Sequence, residues 1–392
     1  MRERVLILAH QYLPSDPRIR RELDALADAD VAADVVCLRR PGQPRRGAYR
    51  TSRLFRLPVR RHRGAGLATY VLEYAAFWLL AFLTATRLHL RHRYRTVVTH
   101  TLPDPLVFAA LVPRLLGARL VIDMHEYTPE LFQTRHRLSA DHWLIRLVTR
   151  LEAASCRFAD VVVTVHEPGA ALLEGRGVPR SKMAIIPNTA PDVGGLERAE
   201  GDEPAERGDG MPLTLVYHGL LANQYDLRTA LGAMAALASR GVAARLRIVG
   251  EGPDAAALRA LADELGLGPD RVAFEPQVPP EQIPGILAAA DAGLVPMNDV
   301  VYTHLTLPMK LLECASAGLP AITTPSRTIR YYFPEGTVLY VPFGDPAAMA
   351  DAIERLASDP GLRDQLRRRA REAIRPLRWE VVGREYAELL AP

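Results

Sequence analysis

Cysteine and lysine are both scarce in this chain. Its 392 residues hold 3 cysteines, Cys37, Cys156 and Cys314, far apart in the sequence. A set so sparse and odd builds neither a disulfide framework nor the paired spacing of a metal site, and it fits a reducing, cytoplasmic compartment. Lysine occurs only at Lys182 and Lys310. Neither follows the glycine pattern of a phosphate loop, which counts against an ATPase. The start is basic and then apolar only over Val5–Ala9, the length of a strand and not of a signal peptide. One long, nearly uncharged and strongly apolar stretch stands out, at 66–86.

What is present reads as a globular chain, 48% hydrophobic and 24% charged. Its length suits two domains of about 180 residues each. The net charge is +4, and the basic part is concentrated early. Residues 39–63 hold ten arginines and no acid, and a second cluster follows at Arg87 to Arg95. An anionic surface is the natural partner. No nucleic-acid-binding motif accompanies these arginines, so a membrane surface is the better match.

Short apolar runs alternate with helical patterns. Val5–Ala9, Asp34–Leu38, Thr96–His100, Ala118–Met124 and Asp160–Val165 read as strands of the first half. Leu213–His218, Ala244–Val249, Val272–Glu275, Ala292–Pro296, Pro320–Thr323 and Val338–Val341 read as strands of the second. This alternation predicts parallel sheets covered by helices, an α/β chain of two Rossmann-like domains. Residues 193–211 are acidic, Gly-rich and aperiodic, and read as a linker between a domain at 1–192 and one at 212–376. The stretch 66–86 carries one charge, Glu73, and is long enough to span a bilayer. Three readings stand: a buried core helix, a helix lying on a membrane surface, and a span, the last opposed by arginines on both flanks.

In open parallel sheets, ligands bind beyond the carboxyl ends of the strands. The most informative such segment runs from Thr303 to Ala321. Pro308 suits a helix start, and Gly318 with Pro320 suits its end. A helix start offers free N–H groups to a phosphate, and Lys310 adds a positive charge there. Glu313 can accept two hydrogen bonds from a ribose diol. A surface pair on an amphipathic helix is the plainer account of Lys310 and Glu313.

The segment Pro308-Met-Lys-Leu-Leu-Glu-Cys-Ala-Ser-Ala-Gly-Leu-Pro resembles the nucleotide-binding signature of retaining glycosyltransferases of family 4, in their Pro-x-Lys-x-x-Glu subgroup. Other pieces resemble the family in order: Asp16-Pro-Arg-Ile-Arg-Arg-Glu, Ile122-Asp-Met-His-Glu-Tyr-Thr-Pro-Glu, Ile186-Pro-Asn-Thr, Tyr217-His-Gly, Val249-Gly-Glu-Gly-Pro and Ala288-Ala-Ala-Asp-Ala-Gly-Leu-Val-Pro. The resemblance implies a GT-B fold, with two domains facing across a cleft and a C-terminal helix, 377–392, that returns to the first. It implies a nucleotide-sugar donor, UDP- or GDP-linked, and no metal or other cofactor.

Carried over by residue, Glu313 binds the ribose, and Lys310 with Leu307, Pro308, Met309 and Leu311 lies at the diphosphate. Gly219, Leu220, Asn223, Arg228 and Asn298 line the donor. Gly250, Gly252 and Val278 flank the base. His125 faces the donor sugar, with Asp16, Arg18, His100 and Glu126 on the acceptor side. The plainer account of His125 is a strand-end histidine satisfied by backbone. Two positions depart from the family. Leu305 stands where many members carry a second glutamate, and the stretch around Gln224 has only Arg228 as a basic residue.

The expected reaction is transfer with retention to an acceptor hydroxyl, on a lipid-linked sugar or a soluble small molecule. The leaving phosphate takes the proton. Closure of the cleft is expected to hinge near 190–212 and 375–380. Rivals are a sugar-nucleotide epimerase of the same shape and a binding protein that has lost catalysis, the latter suggested by Leu305 and Gln224. A phosphorylase would need pyridoxal phosphate on one of the two lysines. Asp28 and Asp30 form a lone Asp-x-Asp pair at a helix end, and His89 with His92 lack acidic or Cys partners, so neither reads as a metal site.

Overall fold

The computed structural model describes residues 4–62, 66–189 and 211–391. The chain divides into two compact units, Met1–Pro187 with Glu380–Pro392, and Asn188–Trp379.

The first unit is built on an eight-stranded sheet. Its strands are β1 (Arg4–Tyr12), β2 (Ala32–Leu38), β3 (Arg46–Tyr49), β4 (Ser52–Leu57), β5 (Thr96–His100), β6 (Arg119–Met124), β7 (Val161–Thr164) and β8 (Met183–Ile185). Their order is β3-β4-β2-β1-β5-β6-β7-β8. All pairs are parallel except β3 with β4. Val5 to Ala9 and Val35 to Leu38 are fully enclosed, as expected of strands covered on both faces. The helices are α1 (Pro17–Asp28), α2 (Leu67–His92), α3 (Leu111–Leu115), α4 (Thr128–His136), α5 (Trp143–Phe158) and α6 (Glu167–Gly175).

The second unit has six strands: β9 (Leu213–His218), β10 (Ala244–Val249), β11 (Val272–Glu275), β12 (Ala292–Val295), β13 (Ala321–Thr323) and β14 (Leu339–Tyr340). Their order is β11-β10-β9-β12-β13-β14, all parallel. Its helices are α7 (Leu227–Ser239), α8 (Ala255–Glu264), α9 (Ile283–Ala288), α10 (Met309–Ser316), α11 (Arg327–Tyr332), α12 (Pro346–Ser358) and α13 (Pro360–Ile374). One core lies between the sheet and α7, α8 and α12, around Leu231, Met234 and Ile353. The other lies around Leu311, Leu312 and Phe333.

The last helix, α14 (Trp379–Leu390), packs on the first unit. Its Tyr386 is fully buried and donates to Glu22 of α1 at 3.3 Å. Arg119 of β6 donates to the Leu389 carbonyl at 2.8 Å. Of the expected linker and hinge, 190–210 lies outside the described residues. The other hinge segment is a short 3-10 turn, Arg375–Leu377.

Two expectations change. The arginine run is not a bare cationic patch. Part of it forms the β3–β4 hairpin, where Arg53 pairs with the buried Asp34 of β2 and Arg50 with Asp24 and Asp28 of α1. And α2 is not enclosed in the core. It buries one side, Phe77, Ala81 and Ala85, while Val71, Leu72, Ala75, Ala76, Leu79 and Leu83 face outward. Glu73, the one charge of 66–86, points inward at 5% exposure. It accepts from the backbone and ring of His62 at 2.8 and 2.9 Å and lies 3.1 Å from His10. The helix is therefore apolar on its outward face as well as its inward one over about 18 Å.

Candidate functional site

Each sheet reverses its strand order beside its first strand, between β1 and β5 in one unit and between β9 and β12 in the other. That is where an open α/β sheet leaves a crevice at its carboxyl edge. Both groups of candidate residues lie there.

In the second unit, α10 begins at Pro308, and no side chain among the described residues caps it. The N–H groups of Met309 and Lys310 are thus uncapped by any side chain and available to an anion. Lys310 sits in its first turn, only 8% exposed. The ammonium lies 3.6 Å from the ring centre of Tyr225 and 5.2 Å from that of Tyr217. Burial drives the Lys310 amine down to about 8, against a partial upward pull from Glu313. The two rings hold a cation in a dry place where a phosphate would complete its charge.

Gly219 has φ +105°, and a Cβ there would come 3.0 Å from Cε of Lys310. Glycine at 219 therefore lets the chain pass directly over the lysine. One turn further along α10, Glu313 accepts from or donates to Nε2 of His218 at 2.6 Å. His218 ends β9 and is buried, so it fixes the carboxyl group at the sheet edge. In the sequence His218 stood out only as part of the Tyr217-His-Gly segment. Its partner is 95 residues away, and only the β9–α10 juxtaposition pairs them.

The other donor-side residues take several parts. Asn298 donates its side chain to the Asn223 carbonyl and its backbone N–H to that of Gln224 at 3.1 Å. These residues thus tie the loop after β9 to the loop after β12. Leu220 is exposed and its carbonyl accepts from Tyr217 at 2.5 Å. Arg228 is exposed in the first turn of α7. Gly250 and Gly252 are required by the protein itself: a Cβ on either would overlap the backbone of Gly219 or Leu221. Leu307 and Leu311 are core residues, so what they offer a ligand is backbone. Pro308 is buried, Met309 half-buried and Val278 packs partly against that core. Leu305, in place of a second glutamate, is buried at 7% exposure.

In the first unit, Arg18 and Glu22 of α1 meet His100 of β5 and Asp123 and His125 of β6 and its end. Arg18 donates to Glu22 at 3.1 Å and to Asp123 at 2.9 Å. The rings of His100 and His125 are joined, Nδ1 to Nε2, at 2.8 Å. The backbone N–H of His125 is 2.9 Å from the Thr101 hydroxyl. Burial, with Arg18 and His100 nearby, holds His125 well below its ordinary range, so it is neutral at working pH. The ring of His125 is thus engaged by a side chain and not by backbone. Asp16 caps α1, its Oδ1 accepting from the N–H of Arg18 and Ile19 at 3.1 and 3.0 Å. Glu126 is half-buried.

Glu22, His100, Asp123 and His125 could offer donor atoms to a metal within 4.8 Å of one another. Arg18, however, already holds one oxygen of each carboxylate and brings the positive charge that an ion would supply. The cluster fits an ion-paired polar network better than a metal centre.

Comparison with known proteins gives a consistent result. Residues 15–189 match the family described as glycosyl transferase 4-like domain, and 212–359 match glycosyl transferases group 1. A 2-deoxystreptamine glucosyltransferase from Streptomyces kanamyceticus is 28% identical over 362 residues, 88% of this chain and 89% of that protein. A putative colanic acid biosynthesis glycosyltransferase from Salmonella typhimurium is 25% identical over 238 residues, 60% of this chain and 57% of its own. Among solved structures, a sucrose-phosphate synthase from Thermosynechococcus elongatus superposes with a TM-score of 0.71 over 99% of this chain and 98% of its own, at 21% identity. Anabaena HepE in complex with UDP does so with 0.68 over 100% and 99%, at 15% identity. The two matched domains, in this order and over most of the chain, place the protein in a family: it belongs to the GT-B glycosyltransferases of the group 1 and family 4 type.

Proposed function

We propose that the protein transfers a sugar from a UDP- or GDP-sugar to an acceptor hydroxyl with retention of configuration. The observation that carries this is the start of α10, where a desolvated Lys310 and the His218-held Glu313 stand one turn apart beneath the Gly219 loop. Lys310 and the free N–H groups of α10 receive the diphosphate, and Glu313 takes the ribose hydroxyls. Positioned charge of this kind stabilises a leaving diphosphate without a resident metal. The leaving phosphate oxygen accepts the proton of the attacking hydroxyl. His125, neutral and 15% exposed at its side chain, is the first unit's candidate for a hydrogen bond to a substrate hydroxyl.

The test is turnover of a UDP- and GDP-sugar panel with aminocyclitol and lipid-linked sugar acceptors. The expected result is acceptor-dependent release of nucleoside diphosphate, with the anomeric configuration of the donor kept in the product. His125→Ala, still folded, should lose at least roughly tenfold in rate. Interconversion of donors without any acceptor would support an epimerase instead.

The outward apolar face of α2 favours a second element, contact with a membrane surface. Leu72 is 71% exposed and Leu83 55%, and α3 packs beside α2 with Leu111, Leu115 and Leu116 exposed. Ala68–His92 is also long and apolar enough to cross a membrane. The packing of Phe77 and Glu73 into the unit instead suits a helix lying in the interface with arginines at the headgroups. An acceptor carried in a lipid layer fits this placement. Sedimentation with anionic liposomes should capture the wild type and release Leu79→Glu/Leu83→Glu. No capture at low salt would leave a water-soluble acceptor as the reading.

A further inference from the structure

Four elements of the first unit converge on His125, and only one of them carries it. Its Nε2 is engaged by Nδ1 of His100, buried at 1% exposure at the end of β5. The far nitrogen of His100, Nε2, makes no hydrogen bond and lies 3.5 Å from Oε2 of Glu22. Glu22 is in turn held from two sides. Its Oε1 accepts from Nε of Arg18 at 3.1 Å, and its Oε2 accepts from the Tyr386 hydroxyl of α14 at 3.3 Å. The result is a buried row, Tyr386, Glu22, His100, His125, in which Glu22 and His100 meet as a 3.5 Å charge contact and not as a hydrogen bond.

Which nitrogen of a neutral histidine carries the proton is set by the partner of the other nitrogen. Two directions of donation are possible along this row. With a carboxylate at Glu22, His100 places its proton on Nε2, toward the oxygen. Its Nδ1 then accepts, and His125 must donate from Nε2. With a donor in place of that oxygen, every proton in the row moves to the other nitrogen. Arg18 and Tyr386 both donate to Glu22, which makes it the acceptor end. Burial, with Asp123 beside it, holds the Glu22 carboxyl above the ordinary carboxylate range, against the pull of His100 and Arg18. His125 itself is held neutral, so the choice of tautomer is real for it.

We propose that Glu22 and His100 are positioning residues that fix the tautomer of His125, placing its proton on Nε2 and leaving Nδ1 as a hydrogen-bond acceptor for a substrate hydroxyl. The catalytic consequence rests on the role given to His125 above, whereas the tautomer does not. Arg18 completes the arrangement by tying Glu22 to Asp123, whose Oδ1 lies 3.6 Å from Nε2 of His125. The C-terminal helix contributes through Tyr386, which links the last turns of the chain to the row.

The decisive variant is Glu22→Gln. Its amide oxygen keeps the Arg18 contact, and its NH2 takes the place of Oε2 and donates to His100. The row reverses with almost no change of shape. Long-range 1H–15N spectra of the imidazoles in the full-length protein read the result directly. The wild type should show His125 protonated at Nε2, and Glu22→Gln should show it protonated at Nδ1. Turnover should fall at least roughly tenfold with KM changed by less than about threefold, as when an amide replaces a carboxylate that orients a catalytic histidine.

Tyr386→Phe is the companion variant. It removes a donor to Glu22 and leaves the carboxylate, so the wild-type tautomer should persist. The same reversal in both variants would mean that packing sets the tautomer, and the proposal would be overturned. So would a wild-type spectrum with the proton on Nδ1, a measurement that needs no variant to fold. A reversed tautomer with unchanged turnover would leave the row standing and remove His125 from the reaction.

Discussion

Lys310 makes the affinity for a nucleoside diphosphate depend on pH in a calculable way. Its amine sits against Tyr225 and Tyr217 and titrates at about 8 instead of 10.5, because burial penalises the charged form. A diphosphate needs the charged form and restores its pKa on binding. Below pH 8 the amine is already protonated, and affinity is flat. Above it, each unit of pH requires about 1.4 kcal/mol to reload the proton. The dissociation constant for UDP or GDP should therefore weaken about tenfold between pH 7 and pH 9. Calorimetric titration across that range, in buffers of different ionisation enthalpy, should also show close to one proton taken up per nucleotide at pH 9. Lys310→Met should bind more weakly at pH 7 and lose the slope. A flat profile in the wild type, or the same slope in Lys310→Met, would refute this account of the amine.

Two further predictions concern the frame. Gly250→Ala puts a Cβ into the Gly219 carbonyl at φ +152°, so it should cost about 2 kcal/mol or more and weaken nucleotide binding through the displaced loop. Chemical denaturation with and without nucleotide checks both. In the first unit, Asp104, Glu130 and Glu152 are buried around a single arginine, Arg176. Burial, then Asp104, raises Glu152 to about 8, and burial raises Asp104 to about 6. Folded carboxyls that keep their protons longer than unfolded ones stabilise the protein fully at low pH. That stability is lost as pH rises from about 4.5 toward 8. Glu152→Gln should flatten this loss and gain about 1 kcal/mol at pH 8.5, a rise of about 2–4 °C in Tm. A lower Tm at that pH would show that the Arg176 pairing outweighs the excess charge.

The fold was legible where burial writes itself into composition. The strand Val5–Ala9 is a continuous apolar run because both its faces are covered. The β3–β4 hairpin was not legible, since its arginines hide an alternation in which Ser52, Leu54 and Leu57 turn inward. The partners that neutralise Arg50 and Arg53 lie on α1 and β2. The presence of α2 could be read from 66–86, but the helix runs on through the second basic cluster to His92, and its orientation could not be read. That depends on His10 and His62 reaching Glu73 from other segments. The same holds at the candidate site. Lys310 and Glu313 were visible as a local spacing, while His218 and Glu22 act through partners that only the sheet edge brings near. Asp16, read from the family resemblance as an acceptor-side residue, has its Oδ1 in the cap of α1, a local role that was not read from the sequence.

The most direct test of nucleotide-sugar chemistry at α10 is a thermal-shift panel with UDP, GDP, ADP, CMP and dTDP, run on the wild type and on Glu313→Ala. A nucleotide at about 100 times its dissociation constant adds roughly 2.7 kcal/mol of stability. The account predicts that UDP or GDP raises the Tm of the wild type and that the shift is lost in Glu313→Ala. No shift with any nucleotide, or an equal shift in the variant, would contradict it.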